Sequence, residues 1–252
     1  MTTEREATET SGSQLAGPPV RTHRWGFGAF LFVFAVFVLS AVVIGAIVGT
    51  VAPESTNSAT VALVGTIVPT VLATVVALLV TKLRGNGPAV DLRWSFTRED
   101  VRAGFKFGAL GLVCTTVAAV VWTNVVGEEN ASSAVSQLVE NERMPISAAI
   151  AMFLFVWLVG PICEEVIYRG LLWGALERLA WGRWAVFGLT TVIFAVSHLE
   201  PLRTSLLLVI GIPIGLARLF TGRLGASIVT HQVNNFLPAL AVLLVALGVM
   251  PA

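Results

Sequence analysis

Pro161-Ile162-Cys163-Glu164-Glu165-Val166-Ile167-Tyr168-Arg169 places two carboxylates and a guanidinium inside a run that is otherwise apolar, from Ile146 up to this stretch and again from Leu171 to Leu176. An ionisable side chain at the centre of a bilayer costs about 2.5–3.5 kcal/mol on insertion scales, so charges placed there mark functional positions by default. Whether the run is one long helix or breaks at Gly160-Pro161 sets the depth of the glutamates and, with it, what they can meet.

Composition agrees with a membrane setting. Of the 252 residues, 56% are hydrophobic and 12% charged, against about 25% charged in an ordinary soluble domain. With several long apolar runs, this describes a polytopic membrane protein. The net charge of +1 carries no further information. There is no basic stripe and no aromatic–basic interleaving, so no nucleic-acid partner is indicated. Cys114 and Cys163 both lie in apolar runs and have the spacing of neither a disulfide framework nor a metal site.

Residues 1–24 are polar and read as a disordered cytoplasmic tail. They are not a signal peptide, because the first apolar run starts late, is too long and lacks a clear cleavage site. Spans are expected at about Phe27–Val51, Ala59–Val80, Gly104–Val126, from near Ile146 either to Cys163 or on to about Glu177 (the motif set below favours the longer course), Trp184–Leu199, Leu202–Phe220 and Ala226–Val249. Polar connections fall at Pro53–Ser58, at the basic loop carrying Lys82, Arg84, Arg93, Arg98 and Arg102, and at the acidic loop Gly127–Arg143. Thr97-Arg98-Glu99-Asp100 has the form of a helix cap. Lys and Arg concentrate in alternate loops, which places the N-terminus in the cytoplasm and, with seven spans, the C-terminus outside. No internal repeat supports a transporter of the inverted-repeat kind.

Three further polar groups stand inside apolar runs: Arg169, His198 in Phe194-Ala195-Val196-Ser197-His198, and His231 in His231-Gln232-Val233-Asn234-Asn235. Glu165 and Arg169, four apart on a helix, share a face and can pair. Glu164 then points elsewhere, over Tyr168, and an unpaired, desolvated carboxylate near a histidine suits general-base work. His231 and Asn235 are also four apart and can donate two hydrogen bonds to one oxyanion. Each feature has a plain structural reading as well. Gly160-Pro161 can start a helix whose first turn holds the glutamates, His198 can sit at an interfacial helix end, and His231 with Asn234 and Asn235 can be interhelical glue. Phe194 reads as packing, and Pro69, Pro213 and Pro238 as kinks. Together, four such side chains on three neighbouring spans favour a site.

The ordered set Glu164-Glu165-x-x-x-Arg169, Phe194-x-x-x-His198 and His231-x-x-x-Asn235 resembles the signature of the CPBP family, the CAAX proteases and bacteriocin-processing enzymes also called the Abi family. The resemblance covers roughly residues 145–240. It implies an intramembrane endopeptidase acting on a hydrophobic or membrane-associated protein or peptide, in which Glu164 and His198 activate a water and His231 and Asn235 form the oxyanion hole. Glu165 and Arg169 would be supporting. The family has also been described as metalloproteases, and Glu164, His198 and His231 would be the zinc ligands in that version. No His-Glu-x-x-His is present, so no cofactor is the preferred expectation. The expected fold is an all-α polytopic transmembrane bundle of about seven spans, or eight, over residues 25–252, in the plasma membrane. A non-catalytic membrane immunity or regulatory protein of the same fold is the rival; it would be supported by a lost motif residue, and none is lost.

Overall fold

Helix α5 (Ile146–Arg178) runs unbroken for 33 residues through the two glutamates, in a computed structural model that describes residues 23–51, 58–127 and 144–250. At 1.5 Å per residue it is about 50 Å long, so it tilts within or projects beyond a hydrocarbon layer of about 30 Å. The break at Gly160-Pro161 does not occur. Instead the helix widens into a π turn over Phe155–Val159, with the N–H of Gly160 donating to the carbonyl of Phe155, and again over Val166–Leu172.

Among the described residues six helices are long and apolar enough to cross a membrane. Besides α5 they lie in α1 (Phe27–Val51), α2 (Ser58–Arg84), α4 (Arg98–Val126), α7 (Thr204–Thr221) and α8 (Leu224–Ala246). A single turn, α3 (Pro88–Asp91), precedes α4. The stretch expected at Trp184–Leu199 forms the shorter apolar helix α6 (Arg183–Val196). Its 14 residues span only about 21 Å. A 3₁₀ turn at Pro201–Arg203 links it to α7. The expected tail up to residue 22, the turn at 53–57 and the acidic loop at 128–143 lie outside the described residues.

α5 is the axis of the bundle. From Gly160 to Leu176 every residue is buried except Ile162 and Glu164. Val166, Leu171, Leu172 and Leu176 pack with Phe30 and Val33 of α1, Ala73 and Ala77 of α2, Phe194 of α6 and Ile228 of α8. The N–H of Arg24 donates to the carbonyl of Arg84 at 2.7 Å, tying the start of α1 to the end of α2. The capping box expected at Thr97 is present, and Asp100 also accepts from Arg223 Nε at 2.6 Å. The outer faces of α1 and α4 expose Leu39, Val42, Val43, Val113, Val117 and Val121, as lipid-facing helices do.

α4 and α8 run side by side in the same direction, because Gly104, Gly108 and Gly111 meet Val229, Val233 and Asn234 in turn. A Cβ on Gly104 would lie 2.4 Å from Val229 Cβ. Gly104→Val should therefore destabilise the bundle by about 1–3 kcal/mol, seen as a lower melting temperature in detergent. Gly45→Ala, where a Cβ meets nothing within 4 Å, should leave it unchanged.

Candidate active site

The two glutamates occupy different environments. Glu165 has a fully buried side chain, and Arg169 Nη1 donates to its Oε1 at 3.1 Å. The same oxygen accepts from His231 Nδ1 at 3.0 Å, while Arg169 Nη2 donates to the carbonyl of Gly211 on α7 at 3.2 Å. Glu165 Oε2 and Arg169 Nε have no partner among the described residues. Glu164 keeps 29% of its side chain exposed, with Oε2 3.6 Å from His231 Nε2. One carboxylate is locked into an Arg–Glu–His chain. Its neighbour faces open space.

That space is a cavity of about 330 Å³ lined by Glu164, His198, His231 and Asn235 together. α5 supplies the glutamate, the turn after α6 supplies His198, and α8 supplies His231 and Asn235. Thus the four candidate catalytic side chains are brought to one place, with Glu165 and Arg169 behind them. Since α6 is short, His198 stands level with the middle of α5 and not at a distant helix end.

Hydrogen bonding sets the tautomers. The carbonyl of Phe194 lies 2.7 Å from His198 Nδ1 and can only accept, so Nδ1 carries the proton and Nε2 presents a lone pair. In His231, Nδ1 donates to the Glu165 carboxylate, and Nε2 is turned toward Glu164. The second ring nitrogen of each histidine is thereby fixed by a carbonyl or a carboxylate, an orientation shared by zinc ligands and acid–base histidines. Among the described residues no group of three or more His, Cys, Asp or Glu is arranged to hold a metal ion.

Asn235 is held by the π turn of α5. In that register the carbonyl of Val156 faces the nitrogen of Pro161, which has no hydrogen. Asn235 Nδ2 donates to this carbonyl at 3.1 Å, and Gln232 Nε2 donates to that of Leu158 at 3.2 Å. One N–H of Asn235 is left for the cavity. Asn234 points away, donating to the carbonyl of Thr230 and accepting from Thr115 of α4. Of the two asparagines, only Asn234 is interhelical glue alone.

Phe194 does more than pack. Its ring meets His198 at 4.7 Å and His231 at 5.7 Å between centroids, both edge-on. The Arg169 guanidinium lies 4.5 Å over its face. Three further contributions were not foreseen. Thr66 and Thr70 of α2 line the cavity. So does the ion pair Glu200–Arg203, two charges three apart just after His198. Finally, a second cavity of about 330 Å³, walled by Val33, Phe34 and Phe37 of α1, shares Thr66, Thr70, Glu164 and His198 with the first.

Comparison with known proteins bears on the same half of the chain. Residues 146–237 match the family model described as type II CAAX prenyl endopeptidase Rce1-like. The chain is 28% identical over 133 residues to the membrane-embedded CAAX protease MroQ of Staphylococcus aureus (strain USA300), a match covering 50% of this chain and 52% of that protein. The chain thus matches about half the length of this relative. No solved structure matches.

The burial contrast has a measurable consequence. Arg169→Met leaves the Glu165 carboxylate partly unpaired inside the bundle and should cost about 3–5 kcal/mol. Glu164→Gln, at a side chain open to the cavity, should change stability little. Equal losses of melting temperature in detergent for the two variants would contradict the division between the glutamates.

Proposed function

We propose, on the premise that residues 146–237 carry a CPBP-family protease domain, that this multi-pass membrane protein is an endopeptidase hydrolysing peptide bonds of hydrophobic or membrane-associated substrates by a glutamate-activated water. The observation that carries the reading is the convergence of Glu164, His198, His231 and Asn235 on one cavity.

The tautomers above assign the protons. A water in the cavity donates one hydrogen to the lone pair of His198 Nε2 and loses the other to Glu164 as its oxygen attacks the substrate carbonyl carbon. The carbonyl oxygen becomes an oxyanion. It receives hydrogen bonds from the free Nδ2–H of Asn235 and from His231 Nε2–H. His231 donates from Nε2 only as the imidazolium. When the C–N bond breaks, Glu164 returns its proton to the leaving amine, and the acid product releases the water's remaining hydrogen to His198 Nε2 and thence to solvent as it departs as a carboxylate. Arg169 acts through Glu165 and is a positioning residue.

This reading needs no metal. Zinc held by Glu164, His198 and His231 is the competing version, and a chelator separates the two. Side-chain and backbone contacts gather Arg24, Arg84, Arg93, Glu177, Arg178, Asp100 and Arg223 at one end of the bundle, and the excess of cations there supports a cytoplasmic placement of that end in the plasma membrane. The catalytic core at about 145–240 draws Thr66 and Thr70 from outside its own limits.

The test is cleavage of a membrane-inserted peptide by purified protein. Glu164→Ala should lower kcat/KM by about 10²–10⁴-fold with a melting temperature close to wild type, and Asn235→Ala by about 10²–10³-fold with a lowered melting temperature, because the Val156 carbonyl loses its donor. A chelator should leave the rate unchanged. Full activity in Glu164→Ala would remove the mechanism, and activity abolished by chelator and restored by zinc would replace it with the metal version.

A further inference from the structure

A third cavity, of about 400 Å³, lies away from the active site between the start of α1 and the end of α2. It is lined by Arg24, Trp25, Gly26, Gly28, Ala29, Phe32, Val80 and Arg84. The bond from Arg24 N–H to the carbonyl of Arg84, 2.7 Å, holds the two arginines at one level. Neither guanidinium has a hydrogen-bond or ion-pair partner among the described residues, both side chains are exposed, and no carboxylate lines the space. Asp91, the nearby acid, is occupied by Trp25 Nε1 at 3.0 Å and by Asn86. Val80 sits about one helical turn, roughly 6 Å, deeper than Arg84, and Phe32 lies five residues, roughly 8 Å, into α1, both toward the apolar middle of their helices. A Cβ on Gly28 would meet nothing within 4 Å, so the absence of side chains there keeps the cavity open.

Two unpaired cations above an apolar floor, at the end of a membrane-crossing helix pair, match one ligand chemistry: a phosphate diester with acyl chains beneath it. We propose that this cavity binds an anionic phospholipid, its phosphate between Arg24 and Arg84 and the first methylenes of a chain against Phe32 and Val80. The acyl chains separate this ligand from free phosphate, which has no use for the floor. The site is independent of the proteolytic reading, since it shares no residue with the catalytic cavity.

The experiment uses the full chain, delipidated in detergent and titrated with phosphatidylglycerol, phosphatidylcholine or inorganic phosphate, with bound lipid counted by native mass spectrometry. Phosphatidylglycerol should bind at least tenfold more tightly than phosphatidylcholine. At about 1 kcal/mol per cation near anionic lipid, Arg24→Gln with Arg84→Gln should weaken it by about 30-fold. Gly28→Trp, which fills the cavity and keeps both charges, should also abolish the preference, and it serves if the double variant does not fold. Equal binding of the two lipids, retention of preference in both variants, or inorganic phosphate competing as well as the lipid would overturn the proposal.

Discussion

Glu165 carries a carboxylate into the centre of a helix bundle where no side-chain surface remains exposed, and its surroundings are organised around that charge. Moving an isolated ion into such a medium costs several kcal/mol even after relaxation. Its Oε1 therefore takes Arg169 from its own helix and His231 from α8. Arg169 brings its own desolvation problem, met by the carbonyl of Gly211 and the face of Phe194. α5, α6, α7 and α8 are thus tied together by one polar chain. Such a network is weak evidence for stability, since an apolar replacement of the whole set can be neutral. It is strong evidence for position: the charge at residue 165 sets where His231 must stand, and His231 in turn faces Glu164.

The second constraint is Pro161. A proline inside a helix deprives one upstream carbonyl of its partner, and here the helix answers with a π turn that leaves the Val156 carbonyl to Asn235. The defect and the asparagine satisfy each other. This is also what aims the amide into the cavity, because Asn235 is anchored by one N–H and keeps the other free. The same turn gives Gln232 a carbonyl at Leu158, so α5 and α8 are registered at two levels beside the cavity. A replacement at Asn235 consequently touches packing and chemistry together.

Much of this was legible in the sequence, and the parts that were not share a cause. Apolar run length located α1, α2, α7 and α8 to within a few residues and α4 to within six, because lipid imposes length on any crossing helix, while the full extent of α5 followed from the motif set. Four-residue spacing paired Glu165 with Arg169, since i, i+4 geometry is local to one helix. The Thr97 cap was readable for the same reason. What needed the third dimension was the partner of each free group. Nothing near Asn235 in the chain points to Val156, nothing near Phe194 announces a ring touching two histidines and an arginine, and Thr66 and Thr70 lie some hundred residues from any motif. The length of α6 was overestimated because Ser197, His198 and Leu199 continue the apolar run. The backbone nevertheless leaves the helix at Ser197 and takes a positive φ of 56° at Leu199, a bend that hydropathy does not register.

The two cavities that meet at Glu164 and His198 differ in character, and that difference bears on how a peptide bond would be presented. One is walled by Val33, Phe34 and Phe37 of α1 and by Ile167. The other holds His231, Asn235 and the Glu200–Arg203 pair. A chain crossing from the first to the second would pass Glu164 and His198 with an apolar segment on one side of the scissile bond and a polar one on the other. Under the proposed mechanism the oxyanion donors stand only on the polar side, so the carbonyl would have to turn that way for Asn235 to reach it. Most of the apolar wall, Val33, Phe34 and Phe37, comes from α1, outside the stretch that matches the protease family model. Under the proposed mechanism the chemistry would be set by α5, α6 and α8, and the apolar segment that fits chiefly by α1.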